Sequence, residues 1–210
     1  RFTLRHDACD DFKIRNFKIM LRPGTNRICA SNSDGIHGRS FRGPLIENCY
    51  FEALGDDNIN MNNLPHRIWE VGSSRRLSLL YTEIGWYPSW LRTGYRIAFY
   101  DPTIKTIIAE RRITSHEWDG LLSHITLDAP VEGLTPTDRT KPTSPSEVLA
   151  YLIPEGTAII RGCEFRSQLK AACLVEGPLL IENNRMSDTA YGITCQGYIT
   201  DLTFRNNTIE

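Results

Sequence analysis

Apolar and polar residues alternate in short runs that recur along the chain. Leu45-Ile46-Glu47-Asn48-Cys49-Tyr50-Phe51 is echoed by Ile159-Ile160-Arg161-Gly162-Cys163-Glu164-Phe165, by Leu180-Ile181-Glu182-Asn183-Asn184-Arg185-Met186 and by Leu202-Thr203-Phe204-Arg205-Asn206-Asn207-Thr208-Ile209. Each unit alternates for a few residues and then turns at Asn-Cys, Gly-Cys or Asn-Asn, as short strands joined by tight bends do. No stretch sustains the 3.6-residue period of an amphipathic helix. Cys163, Asn184 and Asn207 follow one another at offsets of 21 and 23 residues. A near-constant period of this size marks a solenoid whose units stack on their neighbours. The predicted fold is all-β: a right-handed parallel β-helix in which each coil hydrogen-bonds to the next and stacked side chains fill the interior.

The repeat is interrupted between about Arg67 and Glu155, where all four tryptophans fall: Trp69, Trp86, Trp90 and Trp118. Gly94-Tyr95-Arg96-Ile97-Ala98-Phe99-Tyr100 alternates, turns at Asp101-Pro102 and continues through Thr106 to Glu110, which predicts a β-hairpin; Ile125-Thr126-Leu127 predicts a further strand. The expected organisation is β-helix coils over residues 1–66, an inserted small β-barrel or sandwich with aromatic packing over 67–155, and coils again over 156–210. Cys49 and Cys163 share a repeat position, so the solenoid is expected to resume in register, with Pro65 and Gly156 close in space. Leu134 to Glu147, rich in Thr, Pro and Ser, reads as a surface connection. A coil pattern is already running at Phe12-Lys13-Ile14-Arg15-Asn16-Phe17 and still running at Glu210, so the chain is expected to be a fragment of a longer protein.

One pair of segments repeats with chemistry attached. Asp34-Gly35-Ile36 is matched by Asp57-Asn58-Ile59 at a 23-residue offset, one coil apart, and Asp56 precedes Asp57. Equal register on adjacent coils brings Asp34, Asp56 and Asp57 to one patch. Clustered carboxylates raise one another's pKa, so one can keep a proton while another stays ionised, the division of labour that glycoside hydrolysis uses. Asn58, Asn60 and Asn62 read as an outward polar row alternating with inward Ile59 and Met61, and Gly55 as the residue that lets the backbone bend. Both Asp-Gly and Gly-Asp-Asp are also ordinary turn strings, and three carboxylates are also the start of a calcium site.

Composition narrows the partners. A net charge of −1, with 40% hydrophobic and 23% charged residues, is that of a globular chain without a basic stripe for nucleic acid. No run approaches the roughly 18 apolar residues of a membrane span. Six cysteines without CxxC or HxxxH spacing read as core thiols rather than metal ligands, so no metal and no cofactor are expected. The sequence carries no signal for oligomeric state.

Asn32-Ser33-Asp34-Gly35 and Gly55-Asp56-Asp57 resemble the Asn-Thr-Asp and Gly-Asp-Asp motifs of the polygalacturonases, glycoside hydrolase family 28, but that family's Gly-His-Gly and Arg-Ile-Lys motifs are missing. The chain is more similar to glycoside hydrolase family 110, the exo-acting α-1,3-galactosidases, which carry an Asp on one coil, an Asp-Asp pair on the next and a β-barrel inserted immediately afterwards. The resemblance implies inverting, cofactor-free removal of terminal α-galactose, with Asp56 as general acid and Asp34 with Asp57 orienting and deprotonating water. His37, Asn58, Asn60 and His66 are the expected substrate-binding residues, an oligosaccharide or polysaccharide the expected partner, and a secreted or periplasmic location the expected compartment. Trp86 and Trp90 are candidates to stack on a sugar. A polygalacturonase-like hydrolase or lyase and a non-catalytic carbohydrate-binding β-helix are the alternatives.

Overall fold

The computed structural model describes residues 3–7, 9–61, 65–81, 91–138, 147–175, 177–195 and 201–210. They form an all-β chain; none of them lies in a helix long and apolar enough to cross a membrane. The chain divides into two compact units, residues 1–62 with 154–210, and residues 63–153. The first unit begins with β1 (Leu4–Asp7), β2 (Lys13–Arg15), β3 (Lys18–Ile19), β4 (Ile36–Arg39), β5 (Leu45–Glu47), β6 (Tyr50–Glu52) and β7 (Ile59–Met61). The second contains β8 (His66–Ser73), β9 (Arg76–Tyr81), β10 (Arg96–Asp101), β11 (Thr106–Trp118), β12 (Leu122–Leu127) and β13 (Leu149–Ile153). The first then continues with β14 (Ala158–Arg161), β15 (Glu164–Val175), β16 (Leu179–Glu182), β17 (Arg185–Cys195), β18 (Leu202–Arg205) and β19 (Thr208–Ile209).

Strands of the first unit pair in parallel, one coil to the next. One sheet has the order β18-β16-β14-β5-β2. The other carries two lines, β3-β6-β15-β17-β19 and β1-β4-β7-β15-β17. β15 and β17 serve both lines because each bends at one left-handed residue, Ser167 and Asp188. The sequence period is the pairing register: Ile14, Ile46, Ile160 and Ile181 are successive partners. Ile19, Phe51, Phe165 and Met186 form a second inward row, with the Phe51 and Phe165 rings stacked at 5.3 Å. Ile36, Ile59 and Cys173 form a third. All three rows meet in one buried core. Each such side chain contributes about 1.5–3 kcal/mol on leaving water.

The bends are equally repetitive. Asn16, Asn48, Gly162, Asn183 and Asn206 occupy one corner, each with φ between 54° and 62°. Asn and Gly enter this left-handed region at least cost, which is why the repeat places them there. Beside this corner, Asn184 Oδ1 accepts from Cys163 N at 2.8 Å, and its Nδ2 donates to the Ile160 carbonyl at 3.0 Å and to Asn207 Oδ1 at 2.9 Å. On the outer face Arg15, Glu47, Arg161, Glu182 and Arg205 alternate in sign down successive coils. Glu47 is paired with both Arg15 (2.9 Å) and Arg161 (2.6 Å), and Glu182 with Arg205 (2.8 Å).

The six strands of the second unit close into a barrel, in the order β10-β11-β12-β9-β8-β13. The expected hairpin is β10 with β11, which runs on to Trp118, and the expected strand at Ile125 is part of β12. At the barrel's entry and exit, His66 and Arg67 pair with Ala150 and Leu149. Among its described residues Ile68, Leu79, Ile97, Ile113, Leu127 and Leu152 are buried together with the aromatic Phe99 and Tyr81, whereas Trp118 is exposed. Trp86 and Trp90 lie outside the described residues.

All six cysteines are free, as thiols. Cys49, Cys163 and Cys173 are buried, and burial, then the charge of Asp57, pushes the Cys173 thiol up. Cys195, read as a core position, is exposed.

Candidate functional site

The acidic segments precede β4 and β7, where parallel pairing already runs through the turn. Gly35 N donates to the Asp57 carbonyl at 3.0 Å, Ile36 N to the Asn58 carbonyl at 2.9 Å, and Asn58 N to the Ala171 carbonyl at 3.1 Å. Asp34, Asp57 and Ala171 therefore occupy one register position on three coils. The coils approach one another closely here. A Cβ on Gly35 would stand 2.6 Å from the Asn58 carbonyl oxygen, and one on Gly55 3.1 Å from the Asn32 backbone. The contact with the next coil thus requires glycine at 35, whereas at 55 a side chain would need the preceding coil to give by a few tenths of an ångström. Gly55 does lie in the bend expected of it, with a φ outside the left-handed region.

Carboxylate oxygens of Asp34, Asp56 and Asp57 lie within 4.8 Å of one another. Asp57 N donates to Asp34 Oδ1 at 3.2 Å and to Asp56 Oδ1 at 3.1 Å, so one amide ties the three together. His37 Nδ1 lies 2.5 Å from Asp34 Oδ2. Asn60 Nδ2 donates to Asp57 Oδ2 at 3.3 Å and Ala171 N to Asp57 Oδ1 at 3.0 Å. Lys170 Nζ lies 2.9 Å from Asp56 Oδ1. Asp34 and Asp57 are buried and Asp56 is partly exposed, so access to the cluster is through Asp56.

Burial pushes the Asp57 carboxyl up; the Ala171 amide works against this, the charges of Asp34 and Asp56 reinforce it, and the Lys170 ammonium opposes it. The hydrogen bond and charge of Asp56 hold the Lys170 ammonium above its ordinary range, as a cation. The three carboxylates are the residues that could hold a metal, with the Lys170 ammonium already against Asp56.

Two expected substrate contacts are corrected. Asn58 is fully buried, on the register position of Gly35 and Ala172, because the chain bends there and turns its side chain inward; Asn60, expected in the same outward row, is buried too, with its amide on Asp57, and Asn62 lies outside the described residues. His66 is also fully buried, its ring 5.1 Å from that of Tyr81 within the barrel, because by alternation it takes the same face of β8 as buried Ile68. Lys170 and Ala171 were not legible as site residues. Their sequence signal is the 114-residue offset between Cys49 and Cys163, which carried to residue 57 gives 171.

No family model matches the chain. It is 26% identical to alpha-1,3-galactosidase B of Bacteroides thetaiotaomicron over 208 residues, covering 90% of this chain and 32% of that protein. It is 32% identical to alpha-1,3-galactosidase B of Akkermansia muciniphila over 73 residues, covering 34% of this chain and 9% of that protein. The chain thus spans about a third or less of these curated relatives. Among solved structures, the tailspike protein gp49 of Pseudomonas phage LKA1 is 13% identical with a TM-score of 0.29, over 76% of this chain and 28% of that one.

Proposed function

We propose that the chain is the active-site portion of an exo-acting glycoside hydrolase that removes terminal α-1,3-linked galactose, built on a right-handed parallel β-helix with an inserted barrel. One observation carries this: three carboxylates from adjacent coils, joined through a single amide, with one member reaching solvent. The distant similarity to two alpha-1,3-galactosidase B proteins supports the substrate class. Asp56, the accessible carboxyl, is the general acid for the leaving oxygen, and Lys170 stabilises the carboxylate it leaves behind. Asp57, made more basic by burial, takes the proton from a water held with Asp34, and His37 and Asn60 fix the orientation of that pair. Oligosaccharide is the partner, and a secreted or periplasmic location goes with it.

The oxygens stand closer than the roughly 6.5–9.5 Å of a typical inverting pair, nearer the roughly 5–5.5 Å of a retaining one. Inversion is retained because a third carboxylate lets two of them share the water. Proton NMR of the first-formed galactose should show the β-anomer; the α-anomer would mean that one carboxylate attacks the sugar itself. In the full-length protein Asp56→Asn should lose about 10²–10⁴ in rate. A substrate whose leaving group needs no protonation should partly restore Asp56→Asn but neither Asp34→Asn nor Asp57→Asn.

Lys170 favours a second reading, a pectic polysaccharide hydrolase, because its ammonium could pair with a uronate carboxylate. Being held as a cation, it is a poor base for a lyase. Cleavage of polygalacturonate with no action on α-galactosides would select that reading.

A further inference from the structure

A second group of polar side chains lies in the barrel. Glu70, Ser78, His124 and Glu117 are direct cross-strand partners, forming one row across β8, β9, β12 and β11. The row lines a groove of about 760 Å³ to which Trp69 and Arg76 also contribute. Its floor is fixed by a hydrogen-bonded relay. Ser78 Oγ lies 3.0 Å from His124 Nδ1, and His124 Nε2 3.0 Å from Asp119 Oδ2. Asp119 Oδ1 accepts from the Leu121 and Leu122 amides at 2.8 and 2.7 Å. These amides, Leu122 first, bring the Asp119 carboxyl down to about 2, so it is an anion that takes the His124 Nε2 proton as acceptor. With Nε2 donating to Asp119, the neutral ring of His124 accepts the Ser78 hydroxyl at Nδ1.

We propose that this groove is a carbohydrate-binding site for a neutral pyranoside, built from residues other than the carboxylate cluster; its ligand class rests on the glycan substrate proposed above. Sugar hydroxyls are donors that carboxylates accept, and Glu70 and Glu117 stand at the two ends of the row. Trp69 supplies a flat apolar face for the C–H side of a ring, and Arg76 a donor for ring or glycosidic oxygens. The volume lies in the range of small-molecule sites, roughly 300–1,000 Å³. Two carboxylates, Glu70 and Glu117, against one guanidinium, Arg76, make the groove repel sulfated or uronate-bearing glycans.

The test uses the whole 210-residue chain carrying Asp34→Asn and Asp57→Asn, which stops turnover at the cluster. The Trp69 indole N–H, assigned through Trp69→Phe, is followed by NMR while a neutral α-galactosyl disaccharide and a sulfated disaccharide are titrated in parallel. The neutral disaccharide should shift it saturably, and Glu70→Gln and Glu117→Gln, which keep size and shape, should each weaken binding about tenfold or more. An unmoved indole, a shift indifferent to both glutamine variants, or tighter binding of the sulfated sugar overturns the proposal. Sugar binding here in a full-length protein that hydrolyses no glycoside would leave this site standing and remove the hydrolase; hydrolysis without binding here would do the reverse.

Discussion

At the scale of single residues, Asp57 is where function and stability oppose each other. Its carboxyl is pushed above the ordinary range, first by burial. A carboxyl raised in the folded state contributes stability in full below its unfolded value, about 3.9, and loses it as pH rises through the folded value. Asp57→Asn removes that titration while leaving an oxygen to accept the Ala171 amide. It should therefore lose activity by about 10²–10⁴ yet melt no lower than the parent at pH 7, with its relative advantage shrinking as pH falls toward 4; thermal melts across pH check this. Lys170 is among the influences that lower Asp57. Lys170→Met should push Asp57 further up and move the acid limb of kcat/KM to higher pH, while this exposed pair changes stability by less than about 1 kcal/mol.

At the scale of elements, the solenoid depends on its corners. Asn183 sits at φ 55°, with its amide donating to the Arg205 carbonyl on the next coil at 3.3 Å. A β-branched residue in that conformation costs about 1–2 kcal/mol, whereas glycine enters it freely. Asn183→Val should lower the urea midpoint by an amount matching that cost and Asn183→Gly should barely move it. The same corner explains why the repeat was legible: the residue types tolerated there are few, so Asn or Gly recurs at a fixed phase beside inward Ile, Phe and Met. The barrel offered less. Its hairpin stood out through alternation and Asp-Pro, but the pairing of β8 and β9 with β13 and β12 joins segments far apart in the sequence, which no local pattern specifies.

At the scale of the whole molecule, two compact units in one chain, one of them discontinuous in sequence, are expected to unfold separately. Ile97 is buried in the barrel and Ile160 in the solenoid core. Each Ile→Ala change should cost about 2–5 kcal/mol and lower one calorimetric transition while leaving the other in place. A single transition shifted by both would mean that the units fold as one.

The sequence alone determined the all-β class, the coil period and the meeting of Asp34 with Asp57, because a period in the sequence becomes a register in space whenever identical coils stack. Tertiary structure alone decided the surroundings of that pair. Lys170 and Ala171 reach the cluster from 114 residues away, across the inserted barrel. Asn58 turns inward because backbone geometry at a bend overrides strand parity, and His66 is enclosed because the barrel closes over the face of β8 it shares with Ile68. Local alternation specifies which face a side chain takes while a strand is straight; at bends and between distant segments only the packed fold decides.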